Sequence, residues 1–143
     1  MTTDLVTVYP DTTMDKVEEI FKTHDFHHIP VISKAGKLVG IISRSDYHLI
    51  CDKMTLFKEK IDNSINTKFL RTLLASEVMS RYLAKLRPED TVDLAVTYFK
   101  ENLFHAVPVV DKDDNLRGMI TTFDLLNFAF KQPPAYIIAP GTN

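Results

Sequence analysis

The sequence predicts a mixed α/β (α+β) fold built from two copies of one β-α-β-β-α unit. Three observations support this: an internal repeat, apolar stripes at helical spacing, and short β-rich runs that end in turn residues. Placing Pro10 on Pro88 aligns the copies without a gap at an offset of 78, and 14 of the 41 positions from residue 10 to 50 are identical. Two equal units in one short chain favour a pseudo-twofold arrangement. We therefore expect the repeats to pack through their sheets, with any cleft between them present in two versions.

Each copy begins with a brief extended segment, at residues 6–8 and 84–86. A proline turn follows, and then an acidic, threonine-bearing helix start, DTTMD in the first copy and EDTVD in the second. The next apolar residues are spaced by three and four, which places them on one face of a helix. These positions are Met14, Val17 and Phe21 in the first copy and Val92, Ala95 and Phe99 in the second.

The remainder of each copy predicts a hairpin and a second helix. The runs HHIPVI and HAVPVV are short and β-rich, and their internal proline suits an edge position or the start of a strand. The turns KAGK and KDDN separate them from the second strands, LVGIIS and LRGMIT. The segments SDYHLI and FDLLNF then begin another amphipathic helix.

The repeat divides the chain into four parts. Residues 1–50 form the first repeat, 51–78 a connector, 79–130 the second repeat and 131–143 a tail. Apolar residues in the connector predict helix on both sides of a break near residues 63–66. Each repeat is too small to be expected to fold stably alone, so we expect one shared core. The tail contains three prolines and is assigned no function.

Composition excludes several classes of protein. With 45% hydrophobic and 25% charged residues, the chain resembles a globular domain rather than a disordered one. Its net charge of −2 gives no electrostatic basis for binding nucleic acid. The single cysteine, Cys51, and the absence of a signal-peptide pattern or a long apolar run predict a cytoplasmic protein that does not enter a membrane.

The junction between the second strand and the second helix is the most informative position. Both copies read glycine, two apolar residues, serine or threonine, two variable residues and aspartate, at residues 40–46 and 118–124. One interpretation is a helix cap, with Ser43 or Thr121 as the N-cap residue. The other is a ligand site, because a helix N-terminus attracts an anion, the glycine would let a ligand approach the backbone, and an aspartate there can accept hydrogen bonds from ribose. The spacing alone does not choose between them.

These motif copies together resemble the cystathionine beta-synthase (CBS) domain family. Two in tandem, over about residues 1 to 130, are similar to a Bateman module. The resemblance implies a regulatory module rather than an enzyme, with AMP, ADP, ATP or S-adenosylmethionine bound in clefts between the repeats. It also implies a homodimer, a regulated protein partner and no required cofactor. The alternative function is a CBS pair with empty clefts that serves for dimerisation or protein interaction.

The resemblance also suggests binding residues. Asp46 and Asp124 would hold ribose hydroxyls, and Ser43, Thr121 and Ser45 would lie near phosphate or sugar. We expect the sites to differ, because Phe123 replaces a hydroxyl and because the uncharged Ala106 and Thr122 replace His28 and Arg44. His28 and Arg44 are candidate positive contacts for phosphate, so we expect the Asp46 side to suit a phosphorylated ligand better. The remaining expected ligand-binding residues are His28, Arg44, Ile29, Pro30, Gly40, Ile41, Thr122, Ala106, Val107, Pro108, Gly118 and Met119.

Other chemistry is expected to be absent. His24, Asp25, His27 and His28 lie within five residues, and imidazole with carboxylate suits zinc or nickel. Packing roles are favoured because His105 repeats His27, and because strand alternation would send His27 and His28 to opposite faces. We expect neither a metal site nor a catalytic set of nucleophile and base.

Overall fold

The computed structural model describes residues 1–55, 63–102 and 104–131 of the chain. The first repeat contains α1 (Met14–Thr23), β1 (His28–Ile32), β2 (Leu38–Ser43) and α2 (Arg44–Thr55). Two further helices follow, α3 (Asn63–Leu70) and α4 (Ala75–Val78). The second repeat contains α5 (Val92–Asn102), β3 (Ala106–Val110), β4 (Leu116–Thr121) and α6 (Thr122–Lys131). The predicted α+β class is confirmed, and both copies have the same order of elements.

The two hairpins have equivalent registers. His28 pairs with Ser43 in the antiparallel hairpin β1–β2, and Ala106 pairs with Thr121 in β3–β4. The turns predicted at KAGK and KDDN join the strands, with Gly36 at φ 80° and Asp114 at φ 65°. These residues are equivalent in the repeat. Glycine adopts this left-handed conformation freely, whereas aspartate is one of the few side chains that tolerate it.

The predicted opening strands are shorter than expected. Val8 forms a single parallel bridge with Val31, and Leu86 forms the equivalent bridge with Val109. Each bridge contains two backbone hydrogen bonds; in the first, Val8 N–H donates to the Pro30 carbonyl at 3.1 Å and Ile32 N–H donates to the Val8 carbonyl at 2.9 Å. The segments therefore touch the outer edges of β1 and β3 without becoming full strands.

The segment before each bridge crosses to the other repeat. We call residues 1–6 the first lead-in and residues 79–84 the second lead-in. Thr2 and Met119 exchange two backbone hydrogen bonds, both 2.9 Å long, which fixes the first lead-in on β4. Ser80 and Ile41 exchange bonds of 2.8 and 3.1 Å, which fixes the second lead-in on β2. Each hairpin is thus bordered by a lead-in from the other repeat.

The buried residues form two core clusters, so the expectation of one shared core is wrong. One cluster comprises residues of the first repeat together with Leu70, Ala75 and Met79. The smaller one contains Leu86, Ala95, Val107 and Val109. The first repeat gains its extra apolar area from α3, α4 and the second lead-in. The repeats are joined by backbone bridges, including one between Lys37 and Asn115 in the two turns.

The described parts of the connector, residues 51–55 and 63–78, are largely helical, and the break is not at the predicted residues 63–66. Residues 63–66 begin α3 instead of interrupting a helix. Asparagine and serine suit both turns and helix starts, so their presence does not distinguish the two. The Ala75 N–H donates to the Thr12 carbonyl at 2.7 Å, which holds α4 against the first repeat. Residues 57 and 61, on which the helix prediction partly rested, and the tail at 132–143 lie outside the described residues.

No helix in the described ranges is both long enough and apolar enough to cross a membrane.

Candidate functional site

A hydrogen-bonded cap begins each of the helices that follow the hairpins. At α2, Asp46 Oδ2 accepts from the Ser43 N–H at 2.8 Å and from the Ser43 hydroxyl at 2.6 Å. The Asp46 N–H in turn donates to Ser43 Oγ at 3.0 Å. Thr121 and Asp124 make the same three bonds at 2.9, 2.9 and 3.2 Å. Both junctions are therefore capping boxes with aspartate at the third helical position.

The caps use much of the anion-binding capacity of the two helix starts. The Ser43 and Asp46 N–H groups are bonded within the box, and the Arg44 N–H donates to the His27 carbonyl at 2.8 Å. The Thr122 N–H makes the equivalent bond to the His105 carbonyl at 3.4 Å. Free N–H groups are what make a helix start attractive to phosphate. The geometry thus confirms the capping interpretation and leaves a reduced anion site.

A cleft of about 260 Å³ opens beside Asp46, between the repeats. We call it the Asp46 cleft. The hairpin and helix start of the first repeat form one side, and the second lead-in and the start of β3 form the other. It is lined by His28, Ile41, Ser43, Asp46, Ser80, Tyr82, Leu83, Ala84, Phe104, His105, Ala106 and Pro108.

A larger cleft of about 720 Å³, which we call the central cleft, reaches the starts of both α2 and α6. At the offset of 78, Thr2, Asp4, Leu5 and Val6 of its lining correspond to lining residues of the Asp46 cleft. The clefts are therefore partial counterparts, as a pseudo-twofold repeat implies. The remaining lining consists of Asp25, Phe26, His27, His28, Ser43, Arg44, Ser45, His105, Met119, Thr121, Thr122 and Phe123.

Most of the expected ligand-binding residues line one of these clefts. They are Asp46, Ser43, Ser45, Arg44, His28, Ile41, Ala106, Pro108, Met119, Thr121 and Thr122. Ile29 and Val107 lie instead in the two cores, with at most 1% of their surface exposed. Pro30 is also fully buried, and Asp124 is absent from the described lining of both clefts.

The two junction glycines do not make room for a ligand. A Cβ at Gly40 would collide with the Met79 side chain. A Cβ at Gly118 would lie 2.9 Å from the Thr2 carbonyl oxygen. The glycines therefore allow each lead-in to approach the opposite hairpin closely, and the expectation that they admit a ligand is wrong.

The guanidinium of Arg44 is held by the end of α1. Its Nη2 donates to the Phe21 and His24 carbonyls, both at 3.1 Å. The guanidinium carbon lies 5.7 Å from the centre of the Phe21 ring, and Nη1 lies 3.8 Å from Asp25 Oδ1. A cation is favoured at a helix C-terminus because the last carbonyls lack partners. Arg44 lines the central cleft with Nη2 bonded to the end of α1, whereas its Nε is buried without a hydrogen-bond partner among the described residues.

His28 is half-buried and faces both clefts. Burial lowers the pKa of its imidazole, and the proximity of His105 and His27 lowers the pKa further, although Asp46 acts in the opposite direction. The ring is therefore predominantly neutral at pH 7. His28 is therefore not the positively charged phosphate contact that the sequence suggested.

The histidine-rich segment does not form a metal cluster in the structure. No group of three His, Cys, Asp or Glu side chains suitable for a metal ion occurs within residues 1–55, 63–102 and 104–131. His24 stacks on Phe26 with ring centres 5.0 Å apart. His27 and His28 both line the central cleft, so the expected opposite orientation is wrong. Strand alternation does not apply because β1 begins only at His28.

The sequence prediction missed the lead-ins as parts of the clefts. Four residues of the second lead-in, Ser80, Tyr82, Leu83 and Ala84, line the Asp46 cleft. Tyr82 is 98% exposed, which places a free aromatic ring at its rim. The repeat alignment marks the lead-ins as equivalent to each other. It contains no signal that each one pairs with the opposite hairpin.

Two α+β repeats that share composite clefts define a tandem repeat module, and the comparison with known families agrees. The family model for the CBS domain matches residues 1–47 and 75–131. The chain belongs to the CBS domain family, and its two matches make it a tandem CBS pair.

Similar sequences include whole proteins and parts of enzymes. An uncharacterised protein of Methanocaldococcus jannaschii, MJ1426, is 30% identical over 146 residues, covering 85% of this chain and 83% of its own. A CBS domain-containing protein of Dictyostelium discoideum is 29% identical, covering 92% and 88% respectively. Inosine-5′-monophosphate dehydrogenase of M. jannaschii is 30% identical to 86% of this chain, which corresponds to only 21% of the enzyme.

Solved structures share the fold. CBSX2 in complex with AMP has a TM-score of 0.75 at 23% identity, with 92% of both chains covered. The CBS domain pair of MJ0100, in complex with 5′-methylthioadenosine and S-adenosyl-L-methionine, has a TM-score of 0.70 at 22% identity, with 92% of this chain and 94% of that one covered. At this level of identity the comparison establishes architecture alone.

Proposed function

We propose that this chain is a regulatory module that binds an adenosine derivative in a cleft between its two CBS repeats. The observation that carries the proposal is the Asp46 cleft. There, a half-buried carboxylate at a helix start faces partly exposed apolar residues of the other repeat, including Leu83 and Phe104. Apolar walls suit a purine ring, and the carboxylate suits ribose hydroxyls.

Asp46 retains an oxygen for this role. The cap hydrogen bonds described for its carboxylate all end on Oδ2. A carboxylate has acceptor capacity on both oxygens, so Oδ1 can accept from a ribose hydroxyl while Oδ2 holds the cap. The capping and ligand-binding interpretations are therefore compatible in one residue.

The proposed mechanism is a population shift. A ligand in the Asp46 cleft would contact β2 of the first repeat and β3 of the second, as well as the second lead-in. It would bind most tightly to arrangements in which these three surfaces fit it, and so would favour those arrangements in the ensemble. A protein partner that contacts both repeats would sense the change. The module itself carries out no reaction in this proposal.

A thermal-shift panel tests the proposal. We expect adenosine derivatives, screened as adenosine, AMP, ADP, ATP and S-adenosylmethionine, to include at least one that stabilises the protein. A ligand at 100 times its Kd adds about 2.7 kcal/mol to the free energy of unfolding, equivalent to several degrees in Tm. Guanosine and cytidine serve as controls for base selectivity. If all five adenosine compounds leave Tm unchanged, the sensory function is wrong.

A second candidate function is an interaction module with empty clefts. The observation that favours it is the exposed apolar surface of α6. Four of its large side chains are between 48% and 85% exposed: Phe123, Leu126, Phe128 and Phe130. At the repeat offset, Phe123 replaces Ser45, Leu126 replaces His48 and Phe130 replaces Asp52. An apolar stripe where the other repeat is polar is typical of a covered surface.

We propose a second copy of this chain as the occupant of that surface, in keeping with the homodimer expected from the family resemblance. The replacement of Phe130 and Leu126 by serine should convert a dimer into a monomer in light scattering at micromolar concentration. The matched control is the replacement of His48 and Leu49 on α2, both exposed, by serine. A monomeric unmodified protein would contradict the dimer, and a dimer unaffected by the α6 change would place the interface elsewhere.

A further inference from the structure

The side chains lining the two clefts provide little positive charge. Arg44 is the one lysine or arginine among the described residues that line either cleft. Carboxylates are more numerous, with Asp46 in the Asp46 cleft and Asp4 and Asp25 in the central cleft. The local balance is therefore acidic even though the whole chain is close to neutral.

The single arginine is already engaged by the end of α1 in the observed arrangement. The Phe21 and His24 carbonyls accept from its Nη2, and Asp25 lies 3.8 Å from Nη1. Its Nε is buried and has no hydrogen-bond partner among the described residues. Recruiting Arg44 to a phosphate would cost mainly its bond to the part-buried Phe21 carbonyl, since water can replace it at the exposed His24 carbonyl.

The other groups in these clefts that could hold a phosphate also offer little positive charge and few free N–H groups. His28 is predominantly neutral at pH 7, because burial and its histidine neighbours lower its pKa. In the second repeat, Ala106 and Phe123 stand where the first has His28 and Ser45. Three N–H groups at the start of α2 are bonded within the protein. A phosphate beside Asp46 would face a like charge, and among the described lining residues only Arg44, which is bonded to the end of α1, carries a lysine or arginine charge to offset it.

We propose that these clefts select adenosine derivatives whose 5′ substituent is uncharged or cationic over those that carry a 5′ phosphate. The selected chemical class comprises adenosine itself, its neutral 5′-thioethers and its 5′-sulfonium derivatives. The inference rests on the proposed function and narrows its ligand. It reverses the expectation from sequence that the Asp46 side suits a phosphorylated ligand, because that expectation counted His28 and Arg44 as free cations.

Isothermal titration at pH 7.5 and 0.15 M salt compares adenosine, 5′-methylthioadenosine, S-adenosylmethionine, AMP and ATP. We expect at least one of the first three to bind about tenfold or more tightly than AMP, and ATP to bind no better than AMP. If AMP or ATP binds as tightly as the best of the three, the inference is overturned while the proposed function stands. If none of the five binds, both are overturned.

Adding a cation tests the physical cause. Ala106 lines the Asp46 cleft, so Ala106→Lys should tighten AMP binding about tenfold and leave adenosine within about twofold. Thr122→Lys, at an exposed position in the central cleft, provides a second variant that requires no repacking. The control is Ala35→Lys, which adds the same charge at an exposed turn outside both clefts. If both cleft variants fold and neither gains affinity for AMP, charge is not the selecting property and the inference fails.

Discussion

The starts of α2 and α6 carry the same capping box in different surroundings. Ser43 with Asp46 and Thr121 with Asp124 make the same three hydrogen bonds. Beside the first box lies a cleft lined by Asp46, whereas Asp124 lies outside the described lining of either cleft. The comparison teaches that the repeated motif builds the helix start, and that the residues around it decide whether its carboxylate lines a cleft.

The same contrast extends to the packing of the two repeats. The core of the first repeat includes Met79 from the second lead-in, which is 8% exposed. The first lead-in is held instead by the two Thr2–Met119 hydrogen bonds and by an ion pair of 3.7 Å between the Met1 amino group and Asp124 Oδ1, and its Met1 side chain is 55% exposed. The second lead-in is therefore packed more deeply than the first, and it is the one that lines the Asp46 cleft.

The largest effect expected from this contrast is the loss of stability when a methyl group is added at each junction glycine. Gly40→Ala places a methyl group against the buried Met79 side chain, whereas Gly118→Ala places one against the exposed first lead-in. Overpacking of a filled core costs about 1–3 kcal/mol. Relief at Gly118 requires the Thr2 backbone to shift and weakens its two hydrogen bonds to Met119, each worth about 0.5–1.5 kcal/mol. Urea unfolding should show a loss of about 2–3 kcal/mol for Gly40→Ala and about 1–2 kcal/mol for Gly118→Ala. Equal losses would mean that the two lead-ins are equally anchored.

A smaller effect on thermal stability is expected when the pH is lowered. The pKa of His28 is lower in the folded protein than its ordinary value of 6.5, so the unfolded chain binds a proton more readily. The stabilisation from neutral His28 is therefore present above pH 6.5 and is lost as the pH falls through 6.5 toward the lower pKa of the folded state. Tm should decrease over that interval, and His28→Ala, which reproduces the second repeat, should flatten the decrease.

The environment of His28 defines the control for that measurement. His27 and His105 oppose its protonation, and Asp46, on the same side of the Asp46 cleft, favours it; Arg44, Asp4 and Asp25 also line the central cleft. His48→Ala on the exposed face of α2 removes an imidazole without altering this cluster. A Tm profile that His28→Ala leaves unchanged would show that His28 does not carry the pH dependence.

The sequence was sufficient to predict features that depend on neighbouring residues. Alternating apolar runs and turn residues predicted both hairpins, and the spacing from Ser43 to Asp46 predicted a cap as one of two interpretations. The crossing of the lead-ins could not be predicted, because nothing local to Ser80 specifies Ile41 as its bridge partner. The side-chain orientation of Arg44 and the neutral state of His28 likewise depend on distant residues that fold around them.

The most direct test of the account is titration of adenosine into Asp46→Glu and Asp124→Glu. Glutamate at the third helical position keeps a capping box, so both variants should retain their Tm, but the longer side chain moves the carboxylate within the cleft. We predict that Asp46→Glu weakens adenosine binding about tenfold or more, while Asp124→Glu changes it by less than about threefold. Unchanged affinity in Asp46→Glu, or an equal loss in both variants, would contradict the claim that Asp46 is the ligand-facing carboxylate.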